Sequence, residues 1–109
     1  MIWLHDLAYF FGGAFLSNAV PHYVSGVMGR PFQSPFAKPP GQGLSSSTVN
    51  VVWGFANFVI AYLLIARVGD FDLHAADQVI AVGVGVLLIG LMSARMFGRF
   101  HGGNSPTGS

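Results

Sequence analysis

The sequence predicts an all-α integral membrane bundle of three transmembrane helices, with the N-terminus outside and the C-terminus inside. Three observations predict it. Hydrophobic residues make up 52% of the 109-residue chain and charged residues only 8%, about a third of the charge usual in a soluble domain. Three uncharged runs approach or reach bilayer length. The charged residues are sorted between the segments that join them. A soluble domain this small exposes much of its surface and needs charge to stay dispersed, and a disordered chain is poor in apolar residues. The composition therefore points away from both. The length suits one domain over residues 1–100, with spans at about 5–28, 47–67 and 73–98.

The first run, Leu7–Met28, holds 22 residues without a formal charge, enough to cross about 30 Å of hydrocarbon at about 1.5 Å per residue. A signal peptide would need a basic stretch before the run and a small-residue cleavage site after it. No Lys or Arg precedes Arg30, and Arg-Pro-Phe follows the run, so a retained span is expected. Residues 29–46 differ in character, with prolines at 31, 35, 39 and 40. Proline removes a donor and disfavours helix at the preceding residue, so an extended cytoplasmic loop is expected. The second run, Thr48–Ala66, follows four candidate caps, Ser45, Ser46, Ser47 and Thr48, and ends at Arg67. The third, Gln78–Ala94, ends at Arg95 and is short, but a helix starting near residue 73 with Asp72 as its cap would reach bilayer length. Residues 101–109 are rich in Gly, Ser and Asn and are expected to be a flexible tail. Helices are expected because lipid offers no partner to unpaired backbone, and three continuous apolar runs cannot close a barrel.

Charge sets the orientation. With three spans, Arg30, Lys38, Arg95 and Arg99 share one side, and only Arg67 lies on the other. Basic residues stay cytoplasmic, which gives N-out, C-in and a multi-pass protein of the cytoplasmic (inner) membrane. All four acids, Asp6, Asp70, Asp72 and Asp77, fall on the outer side.

Polar groups within the hydrocarbon are costly and turn toward protein or water. Counting along the runs places Asn18 and Asn57 at similar depth, with His22, Asn50 and Ser93 toward the cytoplasm. An inner-half cluster of Asn18, His22, Asn50, Asn57 and Ser93 is expected. Asn18 and His22 are four apart and share a face. Asn50, Trp53, Asn57 and Ala61 form one stripe, with Gly54 beside it. Gly83, Gly90 and Ala94 make a small-residue stripe on the third helix, and Gly12 and Gly13 do the same on the first, where backbones approach closely. Such a cluster serves either as hydrogen-bonding glue between helices or, through His22, as a titrating site.

At the outer edge, His5, Asp6 and Tyr9 form a second group. With Trp3 they resemble an interfacial belt, and a proton entry point or quinone-headgroup site is the sharper alternative. In the loop, Phe32 and Phe36 would anchor in the inner interface, or act as a gate or docking segment. His5 and His22 stand about 25 Å apart along a helix and cannot share a metal. His74 beside Asp70, Asp72 and Asp77 reads as a solvated helix start. No metal site or resident cofactor is assigned, although a haem between His22 side chains of two copies is conceivable chemistry.

The function classes narrow accordingly. The chain has no cysteine, so thiolate metal sites and cysteine nucleophiles are excluded. Net charge is +1, which gives no patch for nucleic acid. There is no nucleophile elbow, phosphate loop or zinc-protease helix. No carboxylate lies mid-membrane, which argues against a carboxylate-based proton pump and against the glutamate-dependent small multidrug exporters, similar to this chain only in size. The expected function is a non-enzymatic accessory or assembly subunit acting through helix–helix contacts. Its partners would be the lipid bilayer and a second copy or a larger membrane complex. The runner-up is a minimal oligomeric channel or carrier with a His/Asn-lined path, and the third is a haem- or quinone-binding membrane protein.

Overall fold

The apolar runs become three helices in a computed structural model that describes residues 2–101 and 103. In chain order these are α1 (Ile2–Val27), the short strands β1 (Phe32–Gln33) and β2 (Leu44–Ser45), α2 (Ser47–Tyr62), a π-helical continuation of α2 (Leu63–Val68), and α3 (Ala76–His101). Two helical stretches are long and apolar enough to cross a membrane: Ser47–Val68, with mean hydropathy 1.9, and Ala76–His101, with mean hydropathy 2.1. α1 is equally long, at 26 residues, but is not one of them, because Asp6, Ser17, Asn18, Pro21, His22 and Ser25 lower its hydropathy.

That lower hydropathy matches the position of α1. It is the middle helix, packed on α2 along one side and on α3 along the other, while α2 and α3 scarcely touch. The helix that carries the most polar side chains is thus the one with neighbours on both sides. α1 and α3 run the same way and α2 runs against them. The connector after α1 and the end of α3 therefore lie at one end of the bundle. The start of α1 and the α2–α3 connector lie at the other.

Local chemistry explains the boundaries. α1 ends where Gly29 takes φ +74°, a left-handed value that costs glycine little. The Arg30 N–H then reaches back to the Ser25 carbonyl at 2.9 Å, and the Gly29 N–H to the Gly26 carbonyl at 3.0 Å, closing the helix end. Of the four candidate caps before α2, Ser46 is used: its hydroxyl accepts from the Val49 N–H at 3.2 Å. α3 starts at Ala76 rather than near residue 73. Asp72 does not cap it. Its carboxylate accepts from the His74 N–H at 2.9 Å, while its own N–H donates to Gln78 Oε1 at 2.6 Å. Aspartate two residues before a free N–H closes its own turn, and here that turn wins over helix initiation.

Residues 29–46 are not an extended loop. Phe32 pairs with Ser45 and Gln33 with Leu44 in an antiparallel ladder. The prolines and Gly41 (φ +76°) turn the chain between the two strands, so the segment folds back as a hairpin over the end of the bundle. Of the expected tail, His101 is still helical; Gly102 and residues 104–109 lie outside the described residues.

Close helix approach occurs at Gly13, Gly54 and Gly85. A Cβ on Gly85 would stand 2.0 Å from the Phe10 carbonyl oxygen, and one on Gly13 2.1 Å from that of Val82. A Cβ on Gly54 would meet the Tyr23 backbone at 2.7 Å. Only part of the expected stripe Gly83–Gly90–Ala94 borders α1. Gly83 faces open space, and Ser17 Oγ is the nearest neighbour of a Gly90 Cβ, at 3.5 Å. The face turned to α1 follows Val82, Gly85, Ile89, Ser93 and Phe97, the least exposed positions at helical spacing.

Candidate functional site: a polar core under the hairpin

The stripe Asn50–Trp53–Asn57–Ala61 on α2 faces the Asn18–His22 face of α1. Asn50, Asn57 and Ala61 are buried, as is His22 at 3% exposure. Asn18 Nδ2 donates to Asn57 Oδ1 at 3.0 Å, and Asn57 Nδ2 donates to the Trp53 carbonyl at 2.8 Å. One helical turn further toward the hairpin, His22 Nδ1 and Asn50 Oδ1 are 2.9 Å apart.

Asn50 is the hub. Its Nδ2 reaches three carbonyls, those of Phe32 at 3.1 Å, Ser45 at 3.2 Å and Ser46 at 3.0 Å. Only the NH2 end of an amide can face carbonyl oxygens, which fixes Oδ1 toward His22. Oδ1 accepts only, so His22 must donate from Nδ1. In the neutral ring this leaves Nε2 as the acceptor nitrogen. A single asparagine thereby ties α1, α2 and both hairpin strands together.

The hairpin closes over this hub with its own side chains. Phe32 lies edge-on to His22 at 5.4 Å and to Phe97 at 4.8 Å, and stacks on His101 at 5.8 Å. Gln33 is buried, and its Oε1 stands 3.0 Å from His101 Nε2, joining the hairpin to the last turn of α3. Ser34 is buried and shares a hydrogen bond with Ser45. The two phenylalanines differ in role. Phe32 is wedged inside, whereas Phe36 is 64% exposed and touches the bundle edge-on at Trp53, 5.1 Å away.

Between hairpin and helices lies a cavity of about 340 Å³, lined by Asn18, His22, Gln33, Ser34, Trp53 and Phe97 among others. The buried Trp53 Nε1–H has no hydrogen-bond partner among the described residues. No known protein family, curated protein or solved structure matches the chain.

Four of the five residues expected in the cluster thus meet: Asn18, His22, Asn50 and Asn57. Ser93 takes no part in the bonds that join them. It lies half-buried on α3, where it lines an apolar cleft beside Ser17, Pro21 and Gly90 and borders a second cleft with Asn18. α3 scarcely touches α2, so a residue of matching depth on α3 reaches α1 but not the Asn50–Asn57 stripe. Gln33, Ser34 and His101 join the site without a signal in the sequence. They arrive through the hairpin fold, which no periodicity announces.

The outer group is also rearranged. Tyr9 is 1% exposed and is not a belt residue. Its hydroxyl accepts the Asp70 N–H at 2.9 Å, and its ring meets Phe71 edge-on at 5.6 Å. His5 leans on the same ring at 6.5 Å, and His5 and Asp6 are half-buried. Tyr9 therefore clasps the α2–α3 connector to the start of α1, while Trp3, 58% exposed, stays outward. His74 meets Asp72 at 3.4 Å with both side chains exposed, a contact worth little. No three potential metal ligands converge among the described residues. His22 is enclosed by Phe32, Trp53 and Phe97. It is not presented on the outer surface, where a haem shared between two copies would need it.

Proposed function

We propose that this is a three-span protein of the cytoplasmic membrane, N-out and C-in, serving as a non-enzymatic accessory or assembly subunit. It acts through helix–helix contacts, as a homo-oligomer or docked on a larger membrane complex. The observation that carries the reading is the contrast between its inner and outer faces. The asparagines and the histidine of the core are spent on one another and on the hairpin. The outward side of α3, through Ile80, Leu87, Leu91 and Met92, is apolar and exposed, and Gly85 is its single buried residue. Polar groups turned inward and apolar ones turned outward suit lipid or another helix.

The test is gentle detergent extraction with cross-linking from the native membrane. A discrete complex is expected, with cross-links from α3 positions 87 and 91 to a fixed partner or a second copy. A protein recovered only as a free monomer, with no such cross-link, would overturn the reading.

A channel or carrier is the second reading, favoured by the cavity that both Asn18 and His22 line. It requires proton or solute flux in liposomes that collapses in His22→Ala.

A further inference from the structure

We propose that the cleft between α1 and the second half of α3 holds one anionic glycerophospholipid, with its phosphate at the Arg95 and Arg99 guanidinium groups and an acyl chain along Ile89, Met92 and Met96. The inference rests on the membrane-spanning reading above. The cleft has a volume of about 410 Å³, and Asn18 is its wall on α1. That is a ligand-sized space.

The first observation is charge without a counter-charge. Arg95 and Arg99 stand four residues apart on α3, about one helical turn, and both are exposed and line the cleft. Neither makes an ion pair among the described residues, where the ion pair is that of His74 with Asp72. All four acids, Asp6, Asp70, Asp72 and Asp77, lie at the other end of the bundle, near the start of α1 and the α2–α3 connector. A second copy inserted in the same direction therefore brings no carboxylate to the cleft. A lipid phosphate supplies the missing charge, and the planar fork of a guanidinium matches two phosphate oxygens at once. Basic pockets between spans on the cytoplasmic side suit anionic headgroups for this reason. Ser93 adds a hydroxyl donor beside the charged end.

The second observation is the order of polarity along the cleft. The arginines stand toward the C-terminal end of α3, and Ile89 and Met92 lie behind them toward its middle. Ile89 to Arg99 is about 15 Å of helix at about 1.5 Å per residue. One leaflet of a hydrocarbon core about 30 Å thick has the same depth. Charge at the membrane face with an apolar wall beneath it is the order of headgroup and chain in an amphiphile. A soluble phosphate would leave that wall unused.

The experiment reads retained lipid. The purified protein in neutral detergent micelles is mixed with equal amounts of phosphatidylglycerol and phosphatidylcholine and analysed by native mass spectrometry. The inference expects one phosphatidylglycerol per chain, retained in preference to phosphatidylcholine. Its affinity should fall about 30-fold in Arg95→Gln/Arg99→Gln, from about fivefold for each base near an acidic headgroup. Arg30→Gln/Lys38→Gln removes the same charge from the same end but not from the cleft, and should leave the affinity unchanged. All four side chains are exposed, and an unaltered unfolding midpoint without lipid checks that each variant keeps its fold. Equal retention of the two lipids would overturn the proposal. Equal losses in the two double variants would also overturn it, by showing attraction to the charged end as a whole. So would displacement of the lipid by inorganic phosphate at equal concentration, with a soluble anion as the occupant, or a lipid-free dimer as the sole species, with a second copy in the cleft. An alkaline carbonate wash of native membranes tests the spans separately. A protein that stays in the membrane but retains no phosphatidylglycerol fails this inference alone, whereas one that is washed off contradicts the spans.

Discussion

Asn50 concentrates more of the structure than any other side chain. Asn50→Leu leaves His22 Nδ1 and three carbonyls without their partner, and should destabilise the protein by about 2–4 kcal/mol. Thermal unfolding in detergent, followed by circular dichroism, would show it as a lowered midpoint with the hairpin released. The Asn18–Asn57 pair is a simpler contact. A double-mutant cycle with leucine at both positions should return a coupling of about 0.6–2 kcal/mol, and a coupling of zero would mean that the amides do not meet. These four residues were legible because depth and face can be counted along uncharged runs. Asn18 and His22 fall on one face of α1, Asn50 and Asn57 on one face of α2, and buried amide and imidazole groups need hydrogen-bond partners. Gln33 and His101 were not legible. Their meeting depends on where a hairpin lands, which neither residue encodes locally. Tyr9 was misread for a related reason: aromatic residues near a span end suit the interface and a buried clasp equally well.

At the scale of elements, the helices were predictable and their contacts less so. Continuous apolar runs set the three helices, and the serine run fixed the start of α2. The start of α3 shifted because Asp72 bonds to its own neighbour. Small residues marked close approach in general, but only the packing selected Gly85 over Gly83. This gives a paired prediction. Gly85→Val forces a Cβ into the Phe10 carbonyl and should part α1 from α3, lowering the unfolding midpoint in detergent. Gly83→Val meets open space and should leave it unchanged or slightly raised, since valine replaces a flexible glycine in a helix. Equal effects of the two would contradict the register of α3. The hairpin shows the opposite limit of sequence reading. Four prolines correctly exclude helix, yet the same prolines turn the chain back so that Phe32 and Ser45 pair, and an expected extended loop becomes a hairpin cap.

For the whole molecule, the arrangement follows from a sorting of polarity among helices. α1, which carries Asn18, Pro21 and His22 within its run and is not one of the two span-like stretches, occupies the middle, while α3, with its outer side almost wholly exposed, sits at one edge. A bundle ordered in this way keeps amides and imidazole inside and presents apolar faces outward. The same order puts the hairpin and the end of α3 together, through Gln33 and His101, and puts Tyr9 against the α2–α3 connector at the far end. Placed in a bilayer, the chain must therefore show the hairpin and the C-terminus on one side and the α2–α3 connector on the other. The protein has no cysteine, so single cysteines at the exposed positions Gln42, Leu73 and Gly103 report without background. In intact cells a membrane-impermeant maleimide should label Leu73→Cys, and should reach Gln42→Cys and Gly103→Cys only after the membrane is opened. Labelling that separates Gln42→Cys from Gly103→Cys, or that reaches all three equally in intact cells, would contradict the account.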